Sequence, residues 1–137
     1  KAHNPFVKGP LSDLSRILRL TKAAENIGYA DPRNIRFAQG GCSMNFRDGS
    51  SVKELISALE SGAKTADDIP PIRIFEKNGN VYSLDNRRLF AFKEAGKTVR
   101  VKAATADELL KEAWKMDDMI DDGMTINVRG LGVFSYE

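Results

Sequence analysis

The dipeptide Asn78-Gly79, set between two apolar-rich runs, constrains this chain more than any other feature. Both residues tolerate the positive φ angles of a tight hairpin turn, so the pair predicts two antiparallel strands on either side of it. The second run stops at Asp85-Asn86, which suit a helix start, and Gly96 suits the left-handed residue that closes the helix. Leu89, Phe92 and Ala95 share one face of that helix and should pack back on the strands. Pro70-Pro71 stiffens the entry to the hairpin. Arg87 and Arg88 then occupy the first helical turn, where unpaired N–H groups and the helix dipole favour an anion. Cations are electrostatically disfavoured there, so an adjacent arginine pair calls for a reason beyond stability.

The rest of the chain reads as follows. Residues 1–30 are expected to form a lead-in and a basic amphipathic helix, capped by Ser12, lined by Leu14, Ile17, Leu18 and Ile27, and ended by Gly28. Residues 31–137 are expected to form one compact unit. Asp31-Pro32-Arg33-Asn34 turns into a strand at Ile35–Ala38, and a glycine-containing loop spans Gln39–Gly49. Such a loop lets backbone approach a phosphate, although its spacing matches neither the dinucleotide fingerprint nor the P-loop. Ser51-Val52-Lys53-Glu54 is a capping box, and Gly62 ends its helix. A strand follows from Thr98 to Ala103. Thr105-Ala106-Asp107-Glu108 opens a last helix, expected to carry Leu109, Trp114 and Ile120 into the core and to stop at Gly123. The final residues form a closing hairpin or an added edge strand.

Composition excludes several chemistries. The single Cys42 allows no internal disulfide and no cysteine-based zinc site. His3 is the only histidine, which argues against nucleophile–histidine pairs and histidine-ligated metals. No apolar run reaches the roughly 18 residues that a membrane span needs. Net charge is only +2, but it is unevenly spread. Residues 87–102 hold six cations against Glu94, and residues 107–122 hold seven carboxylates against two lysines. A basic centre beside an acidic tail fits either a polyanion-binding face or two ordinary solvated faces.

Ile35-Arg36-Phe37-Ala38-Gln39, Phe46-Arg47-Asp48-Gly49, Ile69-Pro70-Pro71-Ile72 and Tyr82-Ser83-Leu84-Asp85-Asn86-Arg87-Arg88 together resemble the ParB/sulfiredoxin-like modules found at the C-termini of bacterial polymorphic toxins, including those of contact-dependent growth inhibition. The resemblance spans residues 33–103. It implies an α+β fold, a small mixed sheet with packed helices. It further implies a nuclease module carried by a secreted effector, acting in the target-cell cytoplasm and neutralised by a cognate immunity protein. The alternative within that resemblance is a nucleotide-binding switch that does not cut.

These residues define a candidate site. Arg87 and Arg88 supply bidentate donors for phosphate oxygens. Asp48 and Asp85 are the candidates to position a water or hydroxyl, or to act as general base if burial raises a pKa. Gln39, Ser43, Asn86, Tyr82 and Lys93 are the candidate substrate-binding residues. RNA cleavage needs no metal if a base takes the 2′-OH proton and arginine stabilises the phosphorane. A DNase would draw on Mg²⁺, for which Asp117, Asp118, Asp121 and Asp122 are the candidate oxygen ligands if they lie on one helix. Read without that role, the same cluster is a solvated helix end.

Overall fold

The computed structural model describes residues 27–136. Within them the strands are β1 (Gly28–Ala30), β2 (Arg36–Phe37), β3 (Gly41–Ser43), β4 (Ile72–Lys77), β5 (Asn80–Ser83), β6 (Val99–Ala103), β7 (Thr125–Arg129) and β8 (Gly132–Ser135). The α-helices are α1 (Val52–Ser61), α2 (Asn86–Ala95) and α3 (Ala106–Glu112). The architecture is α+β. The helix expected between Ser12 and Gly28 falls almost wholly outside the described residues.

The central hairpin forms as its turn chemistry requires. Asn78 and Gly79 both take positive φ, 53° and 82°, and Lys77 pairs with Asn80 across the turn. β4 and β5 sit inside a five-stranded mixed sheet of order β1-β6-β4-β5-β2. β6 runs parallel to β4, and β2 runs parallel to β5. A separate three-stranded sheet joins β3, parallel, to the closing β7–β8 hairpin.

Helix boundaries follow the capping residues. Ser51 accepts from the Glu54 N–H while Glu54 accepts from the Ser51 N–H, and Gly62 ends α1 in the left-handed region at φ 82°. Gly96 ends α2 in the same way. α2 is buried on more than the one expected face: Leu89, Phe90, Ala91 and Phe92 are all inaccessible. It packs against α1, and Phe90 meets Phe134 of β8 edge-on at 4.8 Å between ring centroids. A helix covered by a second helix and by the C-terminal hairpin needs apolar side chains nearly all round.

Three expectations are corrected. Gly28–Ala30, placed in the lead-in, pairs with β6 and forms the edge of the main sheet. Gly41–Ser43, read as loop, is a strand held by β7. The last helix does not run to Gly123. It ends at Glu112 and continues as 3₁₀ turns at Ala113–Asp118 and Asp121–Gly123, with Asp121 and Asp122 at positive φ. Past that end, two of the aspartates accept hydrogen bonds elsewhere in the fold. Asp118 Oδ1 takes the Gly40 N–H at 3.1 Å, and Asp122 takes the Tyr82 hydroxyl at 2.8 Å and Arg36 at 2.9 Å. Trp114 is therefore 62% exposed rather than core. Among the described residues no helix is long and apolar enough to cross a membrane.

Candidate functional site

Leu84 and Asp85, which follow β5, and the start of α2 build one wall of a cleft of about 560 Å³. Ile72 and Ile74 of β4 point into the core, so strand alternation puts Arg73 on the opposite face, at the cleft. Asp85 precedes α2 but does not cap it. Its carboxylate turns instead toward β4 and accepts the Arg73 backbone N–H at 2.7 Å, Nε at 3.0 Å and Nη2 at 2.7 Å. Arg88 Nη2 adds a fourth contact at 2.9 Å. Arg73 also reaches Glu112 at 2.5 Å and Glu108 at 3.4 Å, and Lys115 lies against Glu112. The result is a chain of alternating charges, Arg88–Asp85–Arg73–Glu112–Lys115, running from α2 through β4 to the segment after α3.

This chain sets the protonation states. Burial alone pushes the Asp85 carboxyl up, but the hydrogen bonds from Arg73 and the charge of Arg88 outweigh it and hold the pKa below the ordinary carboxylate value. Glu112 behaves likewise, burial being overcome by Arg73 and Lys115. Hydrogen bonding to Asp85, with Glu112 beside it, raises Arg73 further above its already high value. Asp85 is thus an ionised, arginine-locked positioning residue. The condition attached to the general-base reading, a carboxyl pushed up by burial, is not met at Asp85.

Asn86 is 4% exposed, and its Oδ1 accepts the Ala38 N–H at 2.9 Å while its Nδ2 meets Gln39 Oε1 at 3.5 Å. That junction brings the end of β2 against the start of α2, so the Gln39–Gly49 loop and the Asp85–Arg88 turn face one cleft. Arg87 donates to the Asn45 carbonyl at 2.5 Å, its guanidinium 5.5 Å from the Phe46 ring centroid. Arg88 donates to the Pro70 and Pro71 carbonyls at 2.7 and 3.2 Å besides its contact with Asp85. Among the described residues the backbone N–H groups of Asn86, Arg87 and Arg88 have no acceptor. Arg47 and Lys115 complete a lining with five cations and two carboxylates, Asp85 and Glu112. Cys42 also borders it, and burial raises the thiol pKa to about 11, so it stays protonated.

Of the nine candidate residues, Gln39, Asp85, Asn86, Arg87 and Arg88 line this cleft, and four do not. Tyr82 is buried, stacked on Phe75 at 5.6 Å, with its hydroxyl tied to Asp122. Lys93 lies over the rings of Phe37 and Tyr136 at 5.4 and 5.0 Å, and burial lowers its pKa to about 8. Ser43 Oγ, at the end of β3, accepts the Asn45 N–H at 3.1 Å. Asp48 borders a neighbouring cavity, where the hydroxyl and N–H of Ser50 hold its pKa low. Of the aspartates of residues 117–122, Asp118 and Asp122 go to separate partners, and among the described residues no group of three or more His, Cys, Asp or Glu is arranged to hold a metal ion.

Arg73, Glu112, Lys115 and Arg47 were missed. Arg73 had a signal, a cation at the outward position of a strand whose neighbours are both isoleucine. Glu112 and Lys115 had none, because their placement depends on where α3 gives way to a 3₁₀ turn. The basic run of residues 87–102 is not one face either. Arg100 is spent on the Ala66 and Ile69 carbonyls, so only Arg87 and Arg88 of that run reach the cleft.

No family model, no curated protein sequence and no solved structure matches the chain.

Proposed function

We propose that the cleft between the Gln39–Gly49 loop and the start of α2 binds the phosphate groups of a nucleic acid, and that the chain is a nuclease module, with RNA its first candidate substrate. The observation that carries this reading is the concentration of five cations in one concavity, two of them at the positive end of a helix whose first N–H groups face no described acceptor. Arginine pairs match phosphate oxygens in shape, and fixed cations stabilise charge that grows on those oxygens as a phosphorane forms. In this scheme Arg87 contacts the phosphate and Arg88 helps to neutralise it. Asp85, Arg73 and Glu112 hold the frame; the 2′-OH attacks the phosphate, its proton passes to water, and water protonates the departing 5′-oxygen. The resemblance to polymorphic-toxin modules supplies the biological setting: delivery as part of a secreted effector, action in the cytoplasm of a target cell, and neutralisation by an immunity protein.

A second reading is favoured by one observation. Both carboxylates in the cleft are ion-paired and titrate low, which weakens them as bases and suits a nucleotide-binding module that does not cut. Incubating the protein with total RNA and with plasmid DNA, with and without EDTA, separates the readings. RNA cleavage that survives EDTA and falls at least tenfold in Arg87→Ala supports the nuclease. Intact RNA together with a nucleotide-dependent rise in Tm supports the binding module. Cleavage undiminished in Arg87→Ala overturns the assignment of the site.

A further inference from the structure

A second cavity, of about 620 Å³, lies on the other side of Phe46, Arg47 and Arg88, the three residues it shares with the phosphate cleft. A ligand seated at Arg87 and Arg88 therefore has a neighbouring space within its own reach. The two spaces differ in charge. The first has five cations against two carboxylates, whereas the second balances Arg47, Lys64 and Arg88 against Asp48, Glu54 and Asp68. A phosphate is drawn to the first, and an uncharged but polar group suits the second. Its wall is apolar where Leu55 and Ala58 of α1 face Ile69 and Pro70, and Phe46 adds a π-face of the kind on which bases stack.

The polar side of this cavity offers acceptors. Asp48 Oδ1 accepts both the N–H and the hydroxyl of Ser50, at 2.9 and 2.6 Å, and Asp68 Oδ2 both the N–H and the hydroxyl of Thr65, at 2.8 and 3.2 Å. Among the described residues Glu54 Oε1 accepts only the Ser51 N–H at 2.7 Å, so of the three Glu54 keeps a lone pair on each oxygen. Among the described residues the other oxygen of each accepts nothing. A carboxylate takes two parallel hydrogen bonds from an edge with two adjacent donors. Guanine has such an edge in N1–H and its exocyclic amine. Adenine and cytosine pair one amine with a ring acceptor, and uracil flanks its single N–H with two carbonyls, so each presents a lone pair that a carboxylate repels.

We propose that this cavity is a base subsite that receives guanine from the nucleotide whose phosphate docks at Arg87 and Arg88; the proposal rests on the phosphate-binding reading above. Isothermal titration calorimetry with GMP, AMP, CMP, UMP and inorganic phosphate tests it, on wild type and on Ala58→Phe, which fills the cavity without touching the phosphate cleft. Ala58→Leu, a smaller intrusion by a good helix former, replaces it if the phenylalanine variant does not fold. The expected result is GMP binding at least tenfold tighter than the other nucleotides, with that preference abolished in the filled variant and phosphate affinity unchanged. Equal affinity for the four nucleotides, preference for another base, or a guanine preference that survives filling overturns the subsite and leaves the phosphate site standing. Absence of binding by phosphate and by every nucleotide overturns both.

Discussion

Removing the Asp85 carboxylate should destabilise the fold rather than simply silence a catalytic group. Its side chain is 9% exposed, and Arg73 beside it is 19% exposed. Taking one partner from a fully buried ion pair costs about 3–5 kcal/mol, chiefly because the survivor is left uncompensated. Arg73 keeps Glu112 and Glu108, however, and Arg88 keeps the Pro70 and Pro71 carbonyls. Asp85→Ala should therefore cost about 2–3 kcal/mol, below that range. With roughly 2.1 cal/mol/K of unfolding entropy per residue, a chain of 137 residues should lose about 7–10 °C in Tm. Calorimetry on Asp85→Ala, Arg73→Ala and the double variant gives the coupling, expected at about 1.5–3 kcal/mol. The pH dependence carries a sign. Because the folded-state pKa is depressed, the stabilisation is complete above the ordinary carboxylate value of 3.8 and is lost as pH falls through the lower folded-state value. The Tm gap between wild type and Asp85→Ala should therefore close in that acid window. A coupling under about 0.5 kcal/mol, the scatter of independent sites, would refute the argument. So would a gap that stays constant down to pH 2.

Three further outcomes follow from the geometry. Arg87→Ala should weaken RNA binding at every sequence tested and lower the slope of log K against log salt by about one, while Tm moves little, because among the described residues its guanidinium touches only the Asn45 carbonyl and the Phe46 ring. Lys93→Met should stabilise the protein at neutral pH: burial holds the folded amine near 8 against an ordinary 10.5, so wild type gains stability as pH rises from about 8 to 10.5. Denaturation profiles of the two proteins should converge above that window. Gly40→Ala should be severely destabilising, by at least about 2 kcal/mol, since its Cβ would lie 2.0 Å from the Asp118 carbonyl oxygen. Normal urea denaturation of that variant would mean that the 3₁₀ segment does not pack against Gly40.

Sequence alone determined the elements whose cause is local. Asn78-Gly79 tolerates the φ angles of its turn wherever it occurs, the Ser51 and Thr105 capping boxes satisfy their own N–H groups, and Gly62 and Gly96 stop helices without help from distant chain. It also marked Arg87 and Arg88 as out of place for stability and set the Gln39–Gly49 loop opposite them, so half of the candidate site was readable. Tertiary structure decided the rest, because charges at a site act through partners far apart in sequence. Asp85 resembles a helix cap until Arg73, 12 residues away, captures its carboxylate. Tyr82 and Lys93 resemble site residues until packing turns them toward Asp122 and toward Phe37. The final helix resembles one long element until Gly40, Tyr82 and Arg36 draw two of its aspartates apart. Hydrogen bonds made across the fold outcompeted local propensity at each of these positions, and their geometry is set only once the chain has closed on itself.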